Sequence, residues 1–184
     1  MKQELPITII NPAGETLIFR EIIKSAGGDK ILGENKVMPR CGPPMHVHWL
    51  QDEGFTVKKG MIGYQVAGQS PQYATTGDSI VFKRGVPHKF WNAGDEVLEC
   101  SAWLQPANTF VYFISSIFEA QKKTGTSRPE IFDTAYLLVR YKSEYDMLEI
   151  PLFVRKLIFP IIYCFGKLTG KYKHFTNAPE PVKN

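Results

Sequence analysis

Three histidines and one glutamate stand at spacings that could bring them to a single metal ion: His46, His48, Glu53 and His88. The first two are separated by one residue, and alternate residues of a β-strand share a face, so both imidazoles can aim at one point. Glu53 follows His48 by five positions. That odd offset would turn it to the other face of a straight strand, so a bend or bulge must intervene, and Gln51-Asp52 is the place expected for it. His88 comes forty residues after His48 and must arrive from a different strand; a barrel interior is where such residues could converge. Three imidazoles and a carboxylate are a metal-ligand set. A lone His-x-His is more often a pair of ordinary strand histidines, but here every histidine of the chain except His174 falls in the set.

The elements that must position these groups are short strands. Thr16–Lys24 is rich in Ile, Leu and Phe and ends at Ala26-Gly27-Gly28-Asp29, a turn signal; Lys30–Met38 reads as the returning strand of a hairpin. Between Met45 and Leu104 turn signals recur at Gly60, Gly68–Pro71, Gly77-Asp78, Gly85–Pro87 and Ala93–Asp95. The runs between them alternate. Glu53, Phe55 and Val57 share one face, Ile62, Tyr64 and Val66 another, and Leu98, Cys100, Ala102 and Leu104 a third. Strands at this spacing predict a sandwich or barrel.

The two ligand-bearing stretches follow a recognisable pattern. Gly42, His46, His48, Glu53 and Gly60 resemble the first cupin motif, with three residues rather than five between Gly42 and His46. Gly77, Gly85, His88 and Asn92 resemble the second, with Lys83 where a proline is usual. Neither departure touches a ligand position, and the resemblance covers roughly residues 30 to 105. It implies a mainly β fold, an antiparallel jelly-roll barrel over residues 1–105, with one divalent transition metal held inside by His46, His48, Glu53 and His88. Cupins of this kind bind iron, manganese, nickel, copper or zinc, and the ligand types do not choose among them. Four protein ligands leave up to two positions open on a six-coordinate ion, as catalysis requires. Glu53 is then either a fixed ligand or, swung off the metal, a catalytic general base.

Alternation places Phe55, Val57, Ile62, Tyr64, Val66 and Phe90 in the barrel with the metal, either as a substrate pocket or as plain core. As a pocket they would favour a ring-bearing or otherwise apolar ligand. Tyr64 and Tyr73 could donate hydrogen bonds to it. Lys83 and Arg84 could steer an anion or be solvated turn residues, and Asn92 is expected to tie down a turn.

The pattern changes at Pro106. Asn108 is the expected N-cap of a helix over 108–124, with an apolar stripe from Phe110 to Phe118. Ser127, Pro129 and Glu130 open a second helix, Glu130 acting on the helix dipole. Pro151–Leu168 predicts a third, broken near Pro160, and Lys171–Asn184 a loosely ordered tail. Residues 106–184 therefore form a helical extension, packed on the barrel or on a partner subunit. From Pro151 onward, six cations face one acid, a local charge of +5. So basic and apolar a segment can also lie in a membrane interface, giving a peripheral contact through residues 151–173.

Bulk properties exclude other classes. The net charge of +4 is mild, and no basic, aromatic-interleaved face predicts nucleic-acid binding. Cys41, Cys100 and Cys164 are scattered and odd in number, so no disulfide framework is expected. The first residues lack the apolar core of a signal peptide, and a cytoplasmic setting is expected. Barrels of this type often pair through edge strands, so a homodimer is expected. The combined reading is a metal-dependent cupin, an oxygenase of quercetinase-like kind acting on a small apolar or aromatic enol or phenol. The alternatives are a non-catalytic metal- and ligand-binding cupin and a metal-dependent isomerase or lyase; the lack of an evident second base speaks against the last.

Overall fold

The structure, a computed structural model, describes residues 4–183. Ten strands precede the first helix: β1 (Ile7–Ile10), β2 (Glu15–Ile23), β3 (Lys30–Val37), β4 (His46–His48), β5 (Asp52–Lys59), β6 (Met61–Val66), β7 (Gln72–Thr75), β8 (Ser79–Phe82), β9 (His88–Asn92) and β10 (Leu98–Gln105). They form two antiparallel sheets. One runs β1-β2-β3-β10-β5-β8; the other contains β4-β9-β6-β7. Inward-facing residues of both sheets, among them Val37, Phe55, Val57, Ile62, Phe82, Phe90 and Leu98, make one buried apolar cluster. Each such side chain contributes roughly 1.5–3 kcal/mol by leaving water. Leu98, Cys100 and Ala102 of β10 join that cluster, while Leu104 packs with Phe19, Ile31 and Phe118 in a second one beneath the first helix.

The extension contains α1 (Phe110–Thr124), α2 (Ile131–Arg140), β11 (Tyr145–Met147) and α3 (Phe159–Leu168). Two details differ from expectation, and the expected break near Pro160 takes a specific form. Asn108 is not the cap of α1: its φ is +40°, and Thr109 precedes the helix. Glu130 caps α2 outright, its carboxylate accepting from the Asp133 N–H at 2.9 Å, while Ser127 stays in the turn before it. The break near Pro160 is a π-helical turn at Val154–Ile158, where the Phe159 N–H reaches back to the Val154 carbonyl. A proline lacks the N–H and crowds the carbonyl four residues back, and the wider turn ahead of it absorbs both.

Two further features depart from the sequence-based expectation. The tail is packed: Phe175 is buried, Tyr141 donates to the Pro179 carbonyl at 2.8 Å, and Arg140 pairs with Glu180 at 2.7 Å. And the extension is not wholly helical. Strand β11 adds to the edge of the second sheet beside β4, with Tyr145 opposite His48 and Met147 opposite His46.

One side chain fastens this addition. Glu144, with no exposed surface, accepts from Thr109 Oγ1 at 2.9 Å, Gln51 Nε2 at 3.0 Å, the Val182 N–H at 3.0 Å and the Tyr145 hydroxyl at 3.3 Å. Its backbone carbonyl accepts from the Trp49 N–H at 2.8 Å. It thus joins the segment between His48 and Glu53, the start of α1, β11 and the tail. Glu144→Ala leaves Gln51, Thr109 and Tyr145 with only one another as partners in a buried site, at about 1–3 kcal/mol for each donor left unmatched. We expect a loss of roughly 3–5 kcal/mol, read as a fall in Tm of roughly 10 °C in thermal denaturation. Glu144→Gln, which keeps one acceptor oxygen, should lose less.

Candidate metal centre

The four predicted ligands converge. His46 and His88 are direct cross-strand partners on β4 and β9, and His48 shares the face of His46. Glu53 comes from the opposite sheet. The chain leaves β4 after His48 and enters the other sheet at Asp52, so the odd offset is resolved by a crossing at Trp49–Gln51 rather than by a bulge within one strand. One ligand atom from each of the four residues lies within 4.8 Å of the others.

Neighbouring atoms orient each imidazole. Nδ1 of His46 donates to the Pro44 carbonyl and Nδ1 of His88 to the Val86 carbonyl, both at 2.8 Å, which leaves each Nε2 toward the centre. Phe82 stacks on His88 with ring centroids 4.0 Å apart. His48 is held edge-on by Phe110 and Tyr145, at 5.7 and 5.6 Å. Gly42 lets the approach to β4 lie against β9: its φ is +156°, and a Cβ there would stand 2.2 Å from the Phe90 carbonyl oxygen. The turn before His88 is tied to the same strands, since the Gly85 N–H donates to the His48 carbonyl at 2.7 Å.

The electrostatics suit a cation. Burial pushes His46 down to about 4 and His48 to about 3, so both imidazoles are neutral with lone pairs free at pH 7. Burial opposes ionisation of Glu53. The hydrogen bond shared with His88 Nε2, at 3.1 Å, and the surrounding imidazoles outweigh it, bringing the carboxyl to about 2. Inward-turned imidazole nitrogens and an anionic carboxylate thus meet at one point, a donor set that a divalent ion matches and for which it competes with protons. The residues present therefore fit a metal.

His46, His48 and Glu53 open onto a cavity of about 940 Å³. Of the pocket residues expected from alternation, Phe55 and Phe90 line it. Val57 and Ile62 lie in the barrel core, and Tyr64 and Val66 pack at that core's margin, the Tyr64 hydroxyl being taken by Gln72 at 2.9 Å. Strand alternation assigns a face but not a height along the barrel, and these four sit beyond the cavity. Much of the wall comes instead from Leu17 and Ile31 of the first hairpin and from Phe110, Phe113 and Ile117 of α1. Buried polar residues in it, Glu15 and Asn35 among them, escaped sequence reasoning, so the cavity does hold acidic groups besides Glu53. Their alternation with Leu17 and Ile31 across the hairpin was the available signal. Lys83 and Arg84 do not face an anion site: both pair with Asp52, at 3.2 and 3.1 Å, and their hydrogen bonds hold its carboxyl near 2 against partial burial. Asn92 is buried and ties its turn, donating to the Val37 and Glu96 carbonyls at 2.8 and 2.7 Å. Tyr73 is exposed.

Residues 34–104 match the family described as the cupin domain. The probable oxidoreductase virH of Hypocrea virens is 36% identical over 67 residues, which is 35% of this chain and 31% of that protein. The oxidoreductase iacF of Pestalotiopsis fici is 34% identical over 67 residues, 35% of this chain and 33% of that protein. The match thus spans about a third of the length of these curated relatives. Among solved structures, the polyketide cyclase RemF of Streptomyces resistomycificus is 20% identical, with a TM-score of 0.45 over 56% of this chain and 78% of that one.

The depressed imidazole values carry a pH dependence. As pH falls below the ordinary histidine value of 6.5, the unfolded chain takes up protons that His46 and His48 refuse in the folded protein. Folding stability then declines until their folded values are passed. Glu53 adds a loss of the same sign below 4.5. Glu15, raised to about 7 in the folded protein, works the other way as pH falls, but this one group offsets only part of the loss from two imidazoles, so Tm of chelator-treated protein should still fall between about pH 6.5 and pH 4. The increment of Tm given by added divalent metal should shrink over the same range, because protons compete for the ligands. A flat Tm across that range would contradict neutral imidazoles at His46 and His48.

Proposed function

Because the chain belongs to the cupin superfamily through residues 34–104, we propose that it is a metal-dependent oxidoreductase acting on an apolar, ring-bearing enol or phenol. The observation that carries this is the junction of the three-His, one-Glu set with a largely apolar cavity of about 940 Å³. The names of the two curated relatives, both oxidoreductases, support the reaction class. The cavity supports the substrate class: its largely aromatic and aliphatic walls reward flat apolar ligands.

An ion held by His46, His48, Glu53 and His88 would supply Lewis-acid or redox chemistry at the cavity wall. The chain's own residues do the rest. Phe90, Phe110 and Phe113 exclude water and orient a planar substrate. Phe82 and the Pro44 and Val86 carbonyls hold the imidazoles in place. Glu53, ionised at neutral pH, is the one carboxylate at the ligand cluster and the candidate acceptor for a substrate hydroxyl proton. Glu15 in the same cavity gives a second reading its support, a metal-dependent isomerase or lyase using that group as its second acid or base.

Metal analysis of purified protein, then oxygen uptake with phenolic and enol probes, tests the proposal. We expect bound metal in the wild type and its loss in His46→Ala and His88→Ala, with oxygen uptake falling at least about 100-fold in each. Full metal content in either variant would overturn the ligand assignment. Substrate turnover without oxygen consumption would favour the isomerase or lyase.

A further inference from the structure

Away from the metal ligands, the cavity wall holds a polar group that the metal chemistry does not use. Asn35 Nδ2 donates to Glu15 Oε1 at 3.0 Å, and the Glu15 backbone N–H is fixed by Asn11 Oδ1 at 3.0 Å. Asn11, Glu15 and Asn35 all line the cavity and are all buried. Asn35, 2% exposed, is left with an Oδ1 that has no hydrogen-bond partner. A buried amide oxygen without a donor is rare in folded proteins, and at a cavity wall it marks a place where a donor belongs. No cation pairs with Glu15 or Asn35 among the described residues.

We propose that Glu15 and Asn35 form a hydroxyl-recognition site for the end of the substrate remote from the metal. This rests on reading the cavity as a substrate site. The required group is a neutral donor, a ring hydroxyl or ring N–H, because Asn35 Oδ1 can only accept. A carboxylate or phosphate would meet the oxygens of Glu15 and Asn35, neither of which has a cation paired with it among the described residues. Position sets the ligand's length. Asn35 lies four strand positions from Ile31, and Ile31 pairs through Leu104 with the level of Glu53. At about 3.3 Å per residue that is roughly 13 Å of strand, a span suited to a fused or elongated ring system rather than a single ring. Burial, opposed by the Asn35 bond and aided by the Glu53 charge, brings Glu15 to about 7. Near neutrality its carboxyl therefore also carries a proton in part of the population, and can donate to the same hydroxyl oxygen.

Binding, not turnover, tests this, read by the fluorescence of Trp91 and Trp103 at the cavity wall. The probes are 2-naphthol, 2-methylnaphthalene of the same shape, and 2-methoxynaphthalene, which accepts but cannot donate. Wild-type protein should bind 2-naphthol about tenfold more tightly than either analogue. Asn35→Leu should abolish that preference while retaining metal; Asn35→Ala carries the same expectation if the first variant does not fold. A preference that survives both substitutions comes from the metal and overturns the proposal. Equal binding of all three probes to wild type overturns it too but leaves the cavity reading standing. Binding of none overturns both.

A separate surface carries a second inference. Phe153, Leu157, Ile161, Phe165 and Leu168 recur every three or four residues through the π-helical turn and α3, and all are exposed, Leu168 at 87%. Lys156, Lys167, Lys171 and Lys173 border them, exposed and without carboxylate partners among the described residues. No helix among those residues is long and apolar enough to cross a membrane. We infer that this ridge docks on an anionic lipid surface. A second copy of the chain would bring like charges together, whereas acidic headgroups neutralise the lysines as the ridge enters the interface. In cosedimentation, full-length protein should bind phosphatidylserine-containing vesicles at least about tenfold better than pure phosphatidylcholine ones. The difference should shrink in high salt and disappear in a Phe153→Ser, Leu157→Ser variant of unchanged Tm. Absence of vesicle binding overturns the inference, as does a wild-type dimer that the same variant converts to monomer.

Discussion

Burying a carboxylate forces the chain around it to supply donors, and Glu144 draws its donors from four separate places. Gln51 lies in the crossing between His48 and Glu53, Thr109 starts α1, Tyr145 starts β11, and Val182 belongs to the tail. An unmatched donor costs about 1–3 kcal/mol, against a whole-domain stability of about 5–15 kcal/mol. The four segments are therefore held in one arrangement by an interaction too costly to leave half made. The metal centre inherits that constraint through the rings against His48: Phe110 follows Thr109 in the chain, and Tyr145 follows Glu144 itself.

This arrangement makes the ligand set a product of two sheets and an extension. β4 and β9 supply three imidazoles at fixed cross-strand spacing, and β5 brings the carboxylate from the facing sheet. The extension pairs β11 to the open edge of β4, which would otherwise present unpaired backbone groups. A three-residue strand at an edge is weak alone. Here it is secured by Glu144 behind it and by the Arg155–Asp146 ion pair beyond it.

What could be read from the sequence follows from the range of each signal. The convergence of His46, His48, Glu53 and His88 was legible because alternation and turn residues are local, and because three of four histidines fell in one pattern. The barrel and the helices were legible for the same reason. Strand β11 was not: Tyr145-Asp146-Met147 is too short to alternate and sits among helical segments. Nor was Glu144, whose partners are scattered from Gln51 to Val182. The tail read as loose because its prolines and polar residues are visible locally, while the contacts of Phe175 and Pro179 with α2 are not. Pocket residues were the intermediate case. Phe55 and Phe90 reach the cavity, whereas Val57 and Ile62 share their faces but lie in the barrel core.

The same division separates metal chemistry from ligand choice. Apolar walls distinguish ligands weakly, since a methylene more or less changes binding only about 10–200-fold. Buried polar groups discriminate far more sharply, because a ligand that cannot match them leaves them unpaired in a dry site. In this cavity the motifs contribute the candidate metal ligands and the rings of Phe55, Phe90 and Trp91. The N-terminal hairpin contributes Glu15 and Asn35, and the extension contributes Phe110, Phe113 and Tyr145. Chains sharing the motif region can thus share a reaction type and differ in substrate, with the difference written in the elements on either side of the motifs.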